Sequence, residues 1–318
     1  MKKLVLFLLI LLVSGCQSIE VKETRDLMGT IVTITVIDTD KEKTKNSIDL
    51  AFNEIKRIDS LLSSYKDNSE LSFLNKDGFL TSPSRDLLFN LKKANYYSEL
   101  SNGAFDISVQ PILDLYKESF SINKRPPTEE EINEKLKLIN YENIIINKEK
   151  IELKKDMKIT LGGITKGYAI DRAVEVLKNN QIEHALVNAG GDMRAIGKKN
   201  NENWKIALEN PRDPNEYITI IKLNNKAIAT SGDYERFFDP DKSFHHIVNP
   251  KTGYSATELI SVTIITDKAI DADAIATSVF VLGKEKGLEL IENLGVKGLL
   301  ITSEREVIES SSFHKSFK

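Results

Sequence analysis

The sequence has a single cysteine in 318 residues, Cys16, so no disulfide can form within the chain and its stability must come from packing alone. It also lacks a charge of one sign. Lysines and acids are mixed throughout and the net charge is −3, which removes the basic footprint expected of a nucleic-acid-binding protein. Internal repeats and low-complexity tracts are absent, and so are the GxxxxGK[ST] and GxGxxG patterns that would announce a P-loop or a dinucleotide Rossmann site. Long apolar runs are missing save one, Leu4 to Val13, which is too short to span a bilayer as a mature helix. What remains is a chain long enough to bury a sizeable core in one or two domains.

That single apolar run follows Met1-Lys2-Lys3, a basic start, and ends in Val13-Ser14-Gly15-Cys16. Small residues directly before the only cysteine resemble a bacterial lipobox. Residues 1–15 are therefore expected to be a lipoprotein signal peptide, with cleavage before Cys16 and lipid on that residue. Residues 16–25 read as a polar tether. The body, 26–318, would then sit lipid-anchored on the extracytoplasmic side of a bacterial cell membrane.

The body is organised around Leu161-Gly162-Gly163-Ile164-Thr165-Lys166-Gly167-Tyr168. Met157 to Leu161 reads as an extended entry, and Ile170, Val174 and Leu177 at i, i+4, i+7 predict a helix leaving it. A glycine pair before a helix N-terminus is either a plain tight turn with a surface lysine or an anion seat. In the second case unpaired amides point at the ligand and Lys166 supplies the cation. Elsewhere the pattern predicts an amphipathic helix through Ile48, Phe52, Ile55 and Leu62, a helix capped by Ser84, and a capping box at Thr128 to Glu131. Strands are expected over 185–188, 204–208, 217–223, 227–230 and 259–266, and the polar stretch Ser63 to Asn75 reads as a loop. With no boundary after the tether, the chain is expected to be α+β, a single domain of two packed lobes with mixed or antiparallel sheets and flanking helices.

Polar clusters recur at predicted strand ends: Asn188 to Asp192, Ala229 to Tyr234, His245 to Gly253, and Asp271 to Thr277. Most have plain explanations as turn chemistry, and a His pair is more often a satisfied surface or core feature than a ligand. The last differs. Asp273 and Thr277 share a helix face one turn apart among Ala272, Ala274, Ala276 and Ser278. A carboxylate and a hydroxyl on a helix of small residues suit a hard cation such as Mg²⁺ shared with substrate phosphates, and they equally suit a capped helix start.

Six motifs occur in the order seen in the ApbE family, the FAD:protein FMN transferases. They are Met28-Gly29-Thr30, Leu161 to Tyr168, Val187 to Asp192, Ala229 to Tyr234, His246 to Gly253 and Ala272 to Thr277. The resemblance, from Met28 to the C-terminus, implies a flavin transferase domain over 26–318. It implies flavin-side contacts at Met28, Tyr65, Ala104, Phe105 and Asp106, and further FAD contacts at Thr160, Lys166 and Ile247. It also implies Mg²⁺ ligands at Gly163 (carbonyl), Asp273 and Thr277. Thr160 stands where the family commonly has Asp, and Asn249 where Asp is usual.

The implied activity is Mg²⁺-dependent transfer of the FMN moiety of FAD to a Thr or Ser hydroxyl of an exported or membrane flavoprotein, with release of AMP. His246 is the first candidate for the base and Asp273 the second. The alternatives are a Mg²⁺-dependent FAD hydrolase and a non-catalytic FAD-binding lipoprotein.

Overall fold

The computed structural model describes residues 18–241 and 243–314; the expected signal peptide and the lipidation at Cys16 lie outside the described residues. The tether expected over 16–25 is mostly not one. Ile19–Leu27 forms strand β1, paired along its whole length with β2 (Thr30–Asp38). Alternate residues of β1 are half-buried, and its charged side chains on the other face hid that period-two signal.

These two strands begin an eight-stranded sheet in which every neighbouring pair is antiparallel. Its order continues through β6 (His184–Ala189), β7 (Asp192–Ile196), β10 (Ala227–Gly232), β11 (Leu259–Thr266), β12 (Lys297–Thr302) and β13 (Val307–Glu309). Helices α1 (Lys41–Leu62), α6 (Thr165–Asn179) and α7 (Ala269–Leu282) cover one face. The other face is covered by a separate hairpin, β8 (Trp204–Asn210) and β9 (Asp213–Leu223). Its Trp204, Leu208, Ile221 and Leu223 pack on the sheet together with Phe313. The predicted strands in this half are all present, because their apolar runs are buried by the sheet itself.

A smaller lobe lies between α1 and α6 in the chain. It contains α2 (Glu70–Asp77), α3 (Arg85–Leu100), α4 (Gln110–Glu118), α5 (Glu129–Leu136) and a three-stranded sheet of β3 (Phe79–Thr81), β4 (Ile145–Ile146) and β5 (Lys150–Glu152). Its Leu71, Leu74, Leu91 and Ile151 share the main core, so the chain is one α+β domain with antiparallel sheets. Ser84 caps α3 and Thr128 with Glu131 closes a capping box on α5, as the sequence predicts. Two local expectations fail. Ser63 to Asn75 reads as a loop, but Ser69 caps α2, whose two buried leucines anchor a helix too short to show periodicity. Met157 to Leu161 joins no sheet; Ile159 is instead pinned through both its N–H and its carbonyl by the Asn75 amide.

Helix α7 is apolar nearly all round, as a helix buried between a sheet and two other helices must be. Its N-terminus has no cap from its own chain neighbours. Asp171 on α6 serves instead, accepting from the amides of Ala269 (2.9 Å) and Ile270 (3.1 Å) and from Arg194 Nη1 (2.7 Å). Asp171→Ala strands a buried guanidinium and two amides at once. It is expected to cost about 3–5 kcal/mol, read from urea unfolding.

Candidate active site

The glycine corner and the α7 face meet. A side chain on Gly163 would lie 3.1 Å from Thr277 Oγ1 and 3.1 Å from the Phe105 ring, so only glycine leaves this approach open. Gly167 is tighter still, since a Cβ there would sit 2.3 Å from the Ala269 carbonyl oxygen where α6 crosses α7. That crossing brings the Gly167 amide to Asp273 Oδ2, to which it donates at 3.0 Å. Thr277 Oγ1 in turn shares a hydrogen bond with Ser231 Oγ at the end of β10 (3.2 Å).

The amides of the corner are less available than a free helix start suggests. Ile164 and Thr165 donate to the Leu161 carbonyl, and Gly162 donates to Thr160 Oγ1 at 3.2 Å. Thr160 thus shapes the turn with its hydroxyl while its own amide donates to the Ile107 carbonyl (2.7 Å), joining the corner to the Ala104–Phe105–Asp106 run. Ala104 and Phe105 are buried beside it. The Asp106 carboxylate faces inward, accepting from the Ser108 amide and hydroxyl and from the Tyr141 amide, so it holds the loop rather than projecting from it.

Asp192, at the start of β7, completes the centre and was not singled out by the sequence beyond its Gly-Gly-Asp turn. It is 1% exposed, takes the Thr230 amide on Oδ1 (3.0 Å) and forms an ion pair with Lys166 Nζ through Oδ2 (3.1 Å). That contact is a charge pair only, for Oδ2 has no aligned hydrogen-bond donor. Asp273, a second buried carboxylate, acts on the same ammonium through its charge.

Burial raises both acids, and Asp192 adds to the effect on Asp273, pushing it up to about 7. Burial alone would lower Lys166, but the two carboxylates outweigh it and hold the ammonium above its ordinary value. Among the described residues no three His, Cys, Asp or Glu side chains cluster as a self-sufficient metal cage. The donors gathered here are oxygens only, with surplus negative charge, and that set fits a hard cation completed by substrate phosphates.

The His pair divides into two roles. His245 is a core residue whose Nε2 bonds the Ala256 carbonyl (2.8 Å) and whose Nδ1 accepts from the Ile247 amide (3.2 Å). His246 is half-buried within the field of Lys166; burial, then Arg236, pushes it down to about 4. Its Nδ1 meets the Arg236 carbonyl at 3.3 Å, a contact that requires an N–H there and leaves Nε2 with a free lone pair. Ile247 is buried in the main core.

Met28 is partly buried against the main core, and Tyr65 is exposed. Met28 and Gly29 both have positive φ, 55° and 68°, the tight turn that links β1 to β2. A non-glycine residue in that conformation is strained, and here it puts Met28 on a cleft of about 700 Å³ shared with Lys56, Asp59 and Lys66. The neighbouring Tyr65 ring is 79% exposed. The turn leans on the site through Thr30, whose hydroxyl occupies the space a Cβ on Gly190 would need.

Fold and site together describe an antiparallel α+β protein with a glycine corner beside a buried acid pair. The sequence profile of the ApbE family matches residues 28–300, and the chain belongs to that family. A FAD:protein FMN transferase of Haemophilus influenzae is 33% identical, covering 95% of this chain and 93% of the relative. One from Vibrio cholerae is 31% identical over 92% and 91%. Among solved structures, the ApbE protein of Thermotoga maritima superposes with a TM-score of 0.86 at 34% identity, covering 94% of this chain and 99% of that one. The flavin transferase ApbE of Vibrio cholerae gives 0.80 at 28% identity, with the same coverage.

Proposed function

We propose that this protein is a FAD:protein FMN transferase. It moves the FMN moiety of FAD to a Thr or Ser hydroxyl of an acceptor flavoprotein, forms a phosphoester and releases AMP in a Mg²⁺-dependent reaction. The names of its relatives support the flavin part of this reading. The observation that carries the chemistry is the Asp192–Lys166–Asp273 cluster set against the Gly163–Thr277 contact. It combines an ammonium for a phosphate, surplus carboxylate for a cation, and a backbone corner with no side chain in the way.

The Gly163 carbonyl, Asp273 and Thr277 would hold Mg²⁺, which when bound supplies neutralisation of the diphosphate's charge. Lys166, fixed by Asp192, orients a phosphate at the corner. His246 carries the proton transfer. Neutral at physiological pH, with its Nδ1–H held by the Arg236 carbonyl, it offers Nε2 to the acceptor's hydroxyl. The hydroxyl oxygen bonds to the FMN phosphorus as the P–O–P bond breaks towards AMP. His246→Ala is expected to lower transfer about 10²–10⁴-fold with FAD affinity nearly unchanged, measured by equilibrium dialysis; undiminished transfer removes His246 from the reaction.

Mass spectrometry of an exported flavoprotein incubated with this protein, FAD and Mg²⁺ tests the reading. An FMN adduct that disappears without Mg²⁺ supports it. Free FMN and AMP indicate a hydrolase, and unchanged FAD a passive binder. The proposed site of action is the extracytoplasmic membrane face, with lipid on Cys16. Loss of membrane association in Cys16→Ser checks that placement.

A further inference from the structure

The hairpin on the far face of the main sheet reaches back to the active site through one residue. Its turn, between β8 and β9, carries Arg212, whose amide is held by Asn210 Oδ1 (3.0 Å). The guanidinium grips Asp233 with both prongs, Nη1 to Oδ1 at 2.8 Å and Nη2 to Oδ2 at 2.6 Å. This fork-on-fork geometry fixes orientation as well as distance. Asp233 immediately follows β10, and its amide donates to the Ile260 carbonyl (3.2 Å).

Three residues of the run that Asp233 belongs to act on the proposed centre. Ser231 bonds the Thr277 hydroxyl, Glu235 acts on the charge of Lys166, and the Arg236 carbonyl holds both the amide and Nδ1 of His246. Past Gly232 this stretch leaves the named strands, tied to β11 by the Asp233 amide until Phe237 bridges His245. The only side-chain ion pair fixing it, among the described residues, is the one to Arg212. Beneath it, the Tyr234 ring fills the space over Gly232, where a Cβ would come within 2.3 Å of the ring.

We infer that Arg212 is a positioning residue: its clamp on Asp233 sets the 231–236 run and thereby the placement of His246 against Lys166. The inference rests on the flavin-transfer reading for its kinetic readout, and it has a second readout that does not. The pair is only partly buried, with the arginine side chain 35% exposed, so its loss should barely affect stability.

In Arg212→Gln, kcat for FMN transfer is expected to fall tenfold or more, while KM for FAD moves less than threefold and the thermal midpoint stays put. Asp233→Asn should match it, and the double variant should lose no more than either single one, since both remove the same clamp. Independently of activity, the His246 ring resonances, assigned with His246→Ala, should shift in Arg212→Gln while those of His184 do not. Charge reversal (Arg212→Asp with Asp233→Arg) should recover part of both signals. An unmoved His246 resonance or an unchanged kcat overturns the inference. So does a KM for FAD that changes as much as kcat, which would mean Arg212 contacts the substrate. If the native protein transfers no FMN, the functional reading fails, and the resonance experiment still decides the clamp.

Discussion

Asp273→Asn is expected to abolish flavin transfer, by about 10³-fold or more, and yet to stabilise the metal-free protein at pH 8. Both effects come from one carboxylate placed where it is uncomfortable. Asp273 is 6% exposed, and burial together with Asp192 pushes it up to about 7 from an ordinary value of 3.8. A carboxyl raised in the folded state favours folding below its unfolded pKa, and that contribution is lost as pH rises through about 7. At pH 8 the native chain therefore carries an ionised acid that it would rather protonate. Asparagine removes that charge and keeps an oxygen for the Gly167 amide, while Lys166 retains Asp192 as partner. The expected gain is roughly 2–4 °C in the thermal midpoint at pH 8, vanishing at pH 4. A midpoint that falls at both pH values would show that Asp273 is structural rather than held ready for a cation.

Gly167→Ala is the second large effect, and it acts through the backbone. The new Cβ would stand 2.3 Å from the Ala269 carbonyl oxygen and 2.7 Å from Ile270 Cα, atoms that cannot swing aside as a flexible side chain can. Helices α6 and α7 must separate. Alanine's better helix propensity returns only about 1 kcal/mol, so a net loss of about 3 kcal/mol is expected, or roughly 6–12 °C. The Gly167–Asp273 hydrogen bond lies at the same crossing, so flavin transfer should fall even at temperatures where the variant remains folded. A variant as stable and active as the native protein would show that the helices do not meet as closely as described.

Part of the proposed site is announced by residue type and spacing. Asp273 and Thr277 sit one turn apart on a helix of small residues, and Gly163 precedes a helix, so the pattern was readable along the chain. Asp192 and Asp171 were not. Each looks like a turn or helix residue until a distant segment arrives: Lys166 and the Thr230 amide for the first, the α7 N-terminus and Arg194 for the second. The strand at Ile19–Leu27 escaped notice because an edge strand with a charged outer face has the composition of a linker.

By itself, then, the chain determined its class, its strands and helices where apolar periodicity ran long enough, a carboxylate–hydroxyl pair one helical turn apart, and a glycine turn before a helix. Those are local properties, set by side-chain spacing and by where a Cβ is missing. Only the tertiary structure decided that Asp192 pairs with Lys166, that His245 is core and His246 free on one nitrogen, and that a hairpin from the opposite face clamps Asp233. Burial and charge at these places arise from residues far apart in sequence. Their energies exist only once the sheet and the α6–α7 crossing have brought them together.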